Sequence, residues 1–166
     1  MQSQPNILLG LTNGGSEMRT VATFESDKFN LSESKEYFMN EGCYGDDLGK
    51  WLIGQLRAHG IETDPEPEQE DFGWYFNYTI GGQPFSAVIG NVEGESWFVV
   101  VERITGFLGS ILGGRNRKVP DSGVTELHRI LSSSPEVKNL QWHHWERFRR
   151  GGESAFSSGS STPNAP

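Results

Sequence analysis

The sequence predicts an α+β domain with a mostly antiparallel sheet, and three patterns along the chain support this fold class. Apolar and polar residues alternate over residues 72–80, as in a strand that buries one face. Two more strand-like runs, at 85–89 and 97–103, follow with only short turns between them, which is typical of an antiparallel meander. Two segments with helical spacing interrupt the strands. We therefore predict the order β-α-β-β-β-α-β, with both helices packed on one face of the sheet.

The first helix is predicted between an aspartate cap, Asp46 or Asp47, and a stop at Gly60. Its apolar stripe consists of Leu48, Trp51, Leu52 and Leu56. Gly49 and Gly54 each cost about 1 kcal/mol relative to alanine inside a helix. Their presence indicates either that another part of the chain approaches closely or that packing offsets the cost.

The remaining elements follow from turn residues and periodicity. Residues 20–24 form the first strand-like run, and Gly81 with Gly82 supplies the positive φ angles of a tight hairpin turn. The second helix is predicted to start at Asp121 and to end before Pro135, with a last strand at 137–142.

Five tryptophans occur in this chain, and their positions predict different environments. Trp51, Trp74 and Trp97 lie on the apolar faces of their elements, so we expect them in the core. Trp142 and Trp145 lie near the end of the domain, and we expect this pair to be more exposed.

The length of 166 residues suits one domain. Residues 1–17 show no sustained periodicity and are predicted to be a disordered extension, with Met18 as an alternative natural start. Residues 18–148 are predicted to form the single domain. Residues 149–166 are rich in glycine, serine and proline and are predicted to be a disordered tail.

Composition limits the classes of function. The net charge of −8 argues against nucleic-acid binding. Cys43 is the only cysteine, which excludes an intramolecular disulfide. The chain has no apolar run long enough to span a bilayer and no recognisable signal peptide, so we expect a cytoplasmic location.

The negative charge is concentrated in one segment that two prolines, Pro65 and Pro67, should keep extended and exposed. Six acidic residues and no basic residue occur within ten positions: Glu62, Asp64, Glu66, Glu68, Glu70 and Asp71. One interpretation is a solvated loop that only aids solubility. The other, which we favour for function, is an acidic docking surface for a basic protein partner. Its partner-binding residues are predicted to be Glu66, Glu68, Glu70, Asp71 and Tyr75.

The leading hypothesis from the sequence is therefore a non-catalytic protein-binding module of the adaptor or immunity type. The alternative is a small enzyme that uses Glu70 or Asp71, together with Cys43 or a histidine. A simpler interpretation of the same segment is that Asp71 closes a turn, Gly73 permits a bulge and Trp74 is in the core. Nucleophile, phosphate-binding and metal-ligand motifs are absent, so we predict no metal site and no cofactor.

A weaker candidate is the segment from Ile104 to Lys118, which is apolar, broken by glycines and basic at its end. It is a possible membrane contact, but its few basic charges would bind an anionic bilayer weakly in an acidic protein. We expect its apolar side chains to cover the sheet instead.

Two motifs carry a resemblance. The sequences GDDL at 45–48 with WL at 51–52, and EDFGW at 70–74, resemble a group of small bacterial proteins of unassigned function. The similarity covers roughly residues 24–142 and implies no specific chemistry. The predicted shape also resembles immunity proteins that neutralise bacterial toxins, at the level of the fold only.

Overall fold

A computed structural model of the chain describes residues 18–71, 73–104, 119–151 and 159–164. The predicted disordered extension at 1–17 lies outside these residues. So do Phe72 and the candidate membrane segment beyond Ile104.

Seven strands and three helices occur in the described residues. The strands are β1 (Val21–Glu25), β2 (Glu62–Thr63), β3 (Glu68–Glu70), β4 (Gly73–Ile80), β5 (Gln83–Asn91), β6 (Ser96–Arg103) and β7 (Lys138–His143). The helices are α1 (Asp46–Ala58), α2 (Asp121–Ser133) and α3 (Trp145–Gly151). The predicted strands and both predicted helices are present, and β2, β3 and α3 are additional.

The strands form one sheet in which every pair is antiparallel, in the order β2-β4-β5-β6-β1-β7. β3 pairs with β4 on the edge that also pairs with β2, because the other edge of β4 pairs with β5. The α+β class and the mostly antiparallel sheet are confirmed. The acidic segment, predicted to be extended and exposed, supplies two short strands that protect an edge of the sheet.

The first face of the sheet packs against α1 and α2 and forms the core. Alternate strand residues face the helices and are almost fully buried: Ala22, Phe24, Trp74, Phe76, Tyr78, Phe85, Ala87, Ile89, Trp97, Val99, Val101 and Trp142. The helices contribute Leu48, Leu52, Ile53, Leu56, Val124, Leu127, Ile130 and Leu131. The alternation in the sequence of β4 therefore identified the buried face correctly.

The start of α1 differs from the prediction. Gly45, with φ of 137°, occupies the N-terminal cap position, and no side chain caps the helix. Asp46 lies in the first turn, where its carboxylate is buried and accepts hydrogen bonds from the preceding loop. The Asp47 carboxylate accepts a hydrogen bond from the backbone of Asn30. Both aspartates therefore anchor the preceding loop, which the periodicity of the helix did not indicate.

Close approach explains only one of the two glycines in α1. A Cβ on Gly49 would lie 2.9 Å from the Cβ of Pro67, whereas a Cβ on Gly54 would meet nothing within 4 Å. Pro67 is buried against the helix, although the surrounding acidic segment was predicted to be exposed. The segment is anchored at this proline because a pyrrolidine ring is apolar and fits the space above a glycine.

The C-terminal part of the chain also differs from the prediction. α3 continues to Gly151, beyond the predicted end of the domain. Ser160 pairs with Trp142 through two backbone hydrogen bonds of 2.7 and 2.9 Å, and the Pro163 carbonyl accepts one from Arg19. Although residues 159–164 lack large side chains, their backbone groups pair with the open edge of β7.

The expectation that Trp142 is exposed was wrong. Its side chain is fully buried on the first face, and its indole N–H donates to His128 Nδ1 at 3.1 Å. The alternation of β7 aims Trp142 at the helices, which the position near the chain end obscured. Among the described residues, no helix is long and apolar enough to cross a membrane. The cytoplasmic location stays a prediction.

Candidate docking surface

In the described residues, the second face of the sheet, opposite α1 and α2, is buried at one end and partly exposed at the other. Residues directly opposite each other in an antiparallel pair point to the same face. One row across the strands on this face is Glu68, Tyr75, Val88, Val100, Val21 and His143. At the β7 end α3 lies over the face, and the Phe148 ring is 5.9 Å from Phe98 and 6.0 Å from His143.

Three acidic residues border the partly exposed end of the second face. Glu62 is opposite Thr79, Glu68 is opposite Tyr75, and Glu70 is opposite Gly73. All three carboxylates are exposed. We call Glu62, Glu68 and Glu70 the acidic edge.

Tyr75 is the residue of the predicted docking set that contacts an acidic side chain directly. Its hydroxyl donates a hydrogen bond of 2.6 Å to Glu68 Oε2. This hydrogen bond, with burial and the nearby carboxylates, raises the pKa of Tyr75 to about 12. The phenol therefore stays neutral and holds the Glu68 carboxylate against the strand at every physiological pH.

The other predicted docking residues are not all on the second face. Glu66 lies 3.7 Å from Lys50 of α1, which places it on the side of the helices. Asp71 is exposed in the turn between β3 and β4. The structure therefore brings Glu68, Glu70 and Tyr75 together, and it separates Glu66 from them. Glu62, which the predicted set omitted, joins the acidic edge through the register of β2.

Two of the pairings that the enzyme hypothesis allows, Glu70 with His143 and Cys43 with His59, are far apart in the described residues. Glu70 and Asp71 are exposed, and Glu70 belongs to β3 at one edge of the sheet. His143 belongs to β7 at the opposite edge, five strand spacings or about 24 Å away. Cys43 precedes α1, whereas His59 follows the helix, about 20 Å along its axis. Neither of these two pairings therefore forms an acid–base or nucleophile–base pair. The enzyme hypothesis stays a prediction.

A second polar cluster, which the sequence analysis missed, surrounds the start of α1. Asp46 Oδ2 accepts hydrogen bonds from Lys35 Nζ at 2.8 Å and from the Tyr37 hydroxyl at 2.5 Å. Lys50 Nζ lies 3.8 Å from the same oxygen and 5.2 Å from the centre of the Tyr37 ring. Only the spacing of Asp46 and Lys50, one helical turn apart, signalled this cluster in the sequence.

Charge balance explains the ionisation of this cluster. Burial disfavours the charged form of Asp46, but the hydrogen bonds from Lys35 and Tyr37 outweigh it and lower the pKa of the carboxyl. The hydrogen bond to Asp46 likewise raises the pKa of Lys35. The cluster thus holds a buried carboxylate and its lysine as an ion pair, which fixes the loop before α1 to the helix.

A cleft of about 290 Å³ opens between β1, β7 and the turn after β5. Its lining includes Thr23, Glu25, Glu93, Asn139 and Gln141. Glu25 and Asn139 hydrogen-bond each other at 2.8 Å, so two of its polar groups are already satisfied. In the described part of the chain, no three histidine, cysteine, aspartate or glutamate side chains are grouped as metal ligands.

Comparison with known proteins gives no relative from which a function can be transferred. No protein-family model, no curated protein and no solved structure matches the chain. The resemblance to small bacterial proteins through the GDDL and EDFGW motifs therefore stays a prediction.

Proposed function

We propose that the chain is a non-catalytic protein-binding module, of the adaptor or immunity type, whose acidic edge docks a basic protein partner. The observation that carries this proposal is the alignment of Glu62, Glu68 and Glu70 on one face of one sheet edge. Among the described residues, none of these carboxylates pairs with a lysine, arginine or histidine side chain. Their charge is therefore available to a partner.

The placement of these charges suits the capture of a basic surface. Like charges held close together raise the local potential and accelerate association with an oppositely charged protein. The attraction extends about one Debye length, roughly 8 Å at physiological ionic strength, so it weakens as salt is added. A fixed strand edge, unlike a free loop, presents the charges in a defined spacing without a further cost of ordering.

The competing interpretation is that the acidic residues only protect the sheet edge and keep the protein in solution. Both interpretations require exposed carboxylates, but they differ in where those carboxylates must lie. Edge protection requires charge anywhere on β2 and β3, whereas docking requires charge on the second face.

The test measures association with an immobilised lysine-rich peptide. In one variant Glu62, Glu68 and Glu70 are replaced by glutamine. In the control, the exposed residues Glu36, Glu93 and Glu95 are replaced by glutamine, which changes the net charge equally. The proposal predicts about tenfold weaker binding for the first variant at low salt, mostly through slower association, and little change for the control. Equal effects of both variants would show that only net charge matters.

A further inference from the structure

Burial along the cross-strand row indicates that the docking surface has an apolar part as well as an acidic edge. His143, Val21 and Val100 are 4%, 0% and 5% exposed at the end beneath α3. Val88 and Tyr75 are partly exposed, and Glu68 at the edge is exposed. In the described residues, the row is therefore buried from β7 to β6 and partly exposed from β5 to the edge.

The partly exposed region contains one aliphatic and two aromatic side chains. Val88 lies between Tyr75 and Val100 in the row. Phe98 lies opposite Gly90 in β5, and its ring occupies the space that a Cβ on Gly90 would need. The ring therefore lies over Gly90, two residues along β5 from Val88 on the same face. We call Tyr75, Val88 and Phe98 the apolar patch.

We propose that the apolar patch and the acidic edge together bind an amphipathic basic helix of a partner protein. This inference rests on the proposed function and specifies its partner. The apolar side chains of the helix would lie on Val88 and the two rings, and its lysines or arginines would reach Glu62, Glu68 and Glu70.

Two properties of the surface fit this partner. The acidic edge on β3 and the patch residue Val88 on β5 are two strand spacings apart, about 10 Å. An α-helix with its side chains has a diameter of about 10–12 Å, so its apolar stripe and its flanking cations span this distance. A partner with charge alone would leave the apolar patch in water and would gain nothing from it.

The experiment uses two synthetic peptides with the same number of lysines. One is an amphipathic lysine–leucine helix, and in the other serines replace the leucines. They are titrated against the full chain and against Val88→Ser. The control is Val92→Ser, because Val92 is a valine that is 45% exposed in the turn between β5 and β6 and lies outside the patch. Val88→Thr, which keeps the shape of the side chain, serves as a second variant, and thermal unfolding verifies that each variant folds.

The inference predicts that Val88→Ser weakens binding of the lysine–leucine peptide about fivefold, mainly through faster dissociation. Val88→Thr should also weaken binding of the lysine–leucine peptide, whereas Val92→Ser should leave it unchanged. None of these substitutions should change binding of the serine peptide. Equal binding of the two peptides by the unmodified chain would overturn the inference, and so would an unaffected Val88→Ser. A concentration-dependent dimer that Val88→Ser dissociates would also overturn it, because a second copy would then occupy the patch.

The outcomes separate this inference from the proposed function. If substitutions at the acidic edge weaken both peptides while Val88→Ser weakens neither, the docking function stands and the helical partner is wrong. If substitutions at the acidic edge change neither peptide, both proposals fail.

Discussion

Tyr75 and Glu68 face each other across β4 and β3, and the Tyr75 hydroxyl donates a hydrogen bond of 2.6 Å to the Glu68 carboxylate. The bond joins the apolar patch to the acidic edge. Because a neutral phenol is the donor, Glu68 keeps its full negative charge while its orientation is fixed. The surface therefore presents this charge in one position, with an aromatic ring beside it.

The first prediction concerns the ionisation of Tyr75. The Glu68 carboxylate stabilises the protonated phenol, so Glu68→Gln should lower the pKa of Tyr75 from about 12 towards the ordinary value of about 10. Ultraviolet titration of the phenolate measures this shift, and Tyr75→Phe identifies the signal. A Tyr75 pKa that stays near 12 in Glu68→Gln would show that burial and the other nearby carboxylates, not the hydrogen bond, control it.

The second prediction concerns the buried carboxylate of Asp46. Asp46→Ala should lower the free energy of unfolding by about 2 kcal/mol, because two hydrogen bonds to a charged group are lost. The loss stays below that of a fully buried ion pair because the Lys35 and Tyr37 side chains can be rehydrated. Urea denaturation at neutral pH measures the effect. Glu36→Gln, at an exposed residue, is the control and should change the stability little.

The lowered pKa of Asp46 also predicts a dependence of stability on pH. Its contribution is complete above the unfolded pKa of about 3.9 and is lost as the pH falls through the lower pKa of the folded state. Asp46→Asn should therefore lose less stability than the unmodified chain when the pH is lowered from about 5 to 2. Urea denaturation at each pH measures this dependence. If the free energy of unfolding of the two proteins fell in parallel as the pH is lowered, the result would contradict the ion pair.

The third prediction compares the two glycines of α1. Gly54→Ala should raise the free energy of unfolding by up to about 1 kcal/mol, because its Cβ meets nothing within 4 Å. Gly49→Ala has the same gain in helix propensity, but its Cβ would press on Pro67 at 2.9 Å. We expect it to be neutral or destabilising. Equal stabilisation by both substitutions would show that the acidic segment is not anchored at Pro67.

The fourth prediction concerns His143, whose Nε2 lies 2.7 Å from the Thr23 hydroxyl oxygen. Burial, with a smaller effect of Arg19, lowers the pKa of this imidazole. Protonation therefore favours the unfolded chain, and the stability contributed by the neutral ring is lost as the pH falls below about 6.5. His143→Gln should flatten the fall in stability between about pH 7 and 5. An NMR titration midpoint of His143 above 6.5 would contradict the conclusion that burial lowers its pKa.

Local patterns in the sequence predicted much of the fold. The alternation of β4 and the spacing of Leu48, Leu52 and Leu56 identified the faces that pack in the core. Gly81 and Gly82, with φ of 58° and 75°, form the predicted turn of the β4–β5 hairpin. Each of these features depends on residues close in sequence, so periodicity and turn chemistry were sufficient.

Features that depend on distant pairing were not predictable in the same way. The acidic segment contains no strand pattern, yet its backbone pairs with β4 and its Pro67 packs on Gly49. The division of the acidic residues between the two faces follows from this register. The contact of Lys35 with Asp46 depends on the path of an irregular loop, for which no periodicity exists.

The central claim is that a basic partner binds the second face at the end formed by β3, β4 and β5, and amide chemical shifts test it most directly. Isotope-labelled protein is titrated with the lysine–leucine peptide at low salt and again at high salt. We predict that the largest salt-sensitive shifts occur at Glu68, Glu70, Tyr75 and Val88. Largest shifts around Lys35 and Tyr37 instead, or shifts spread evenly over the surface, would contradict the claim.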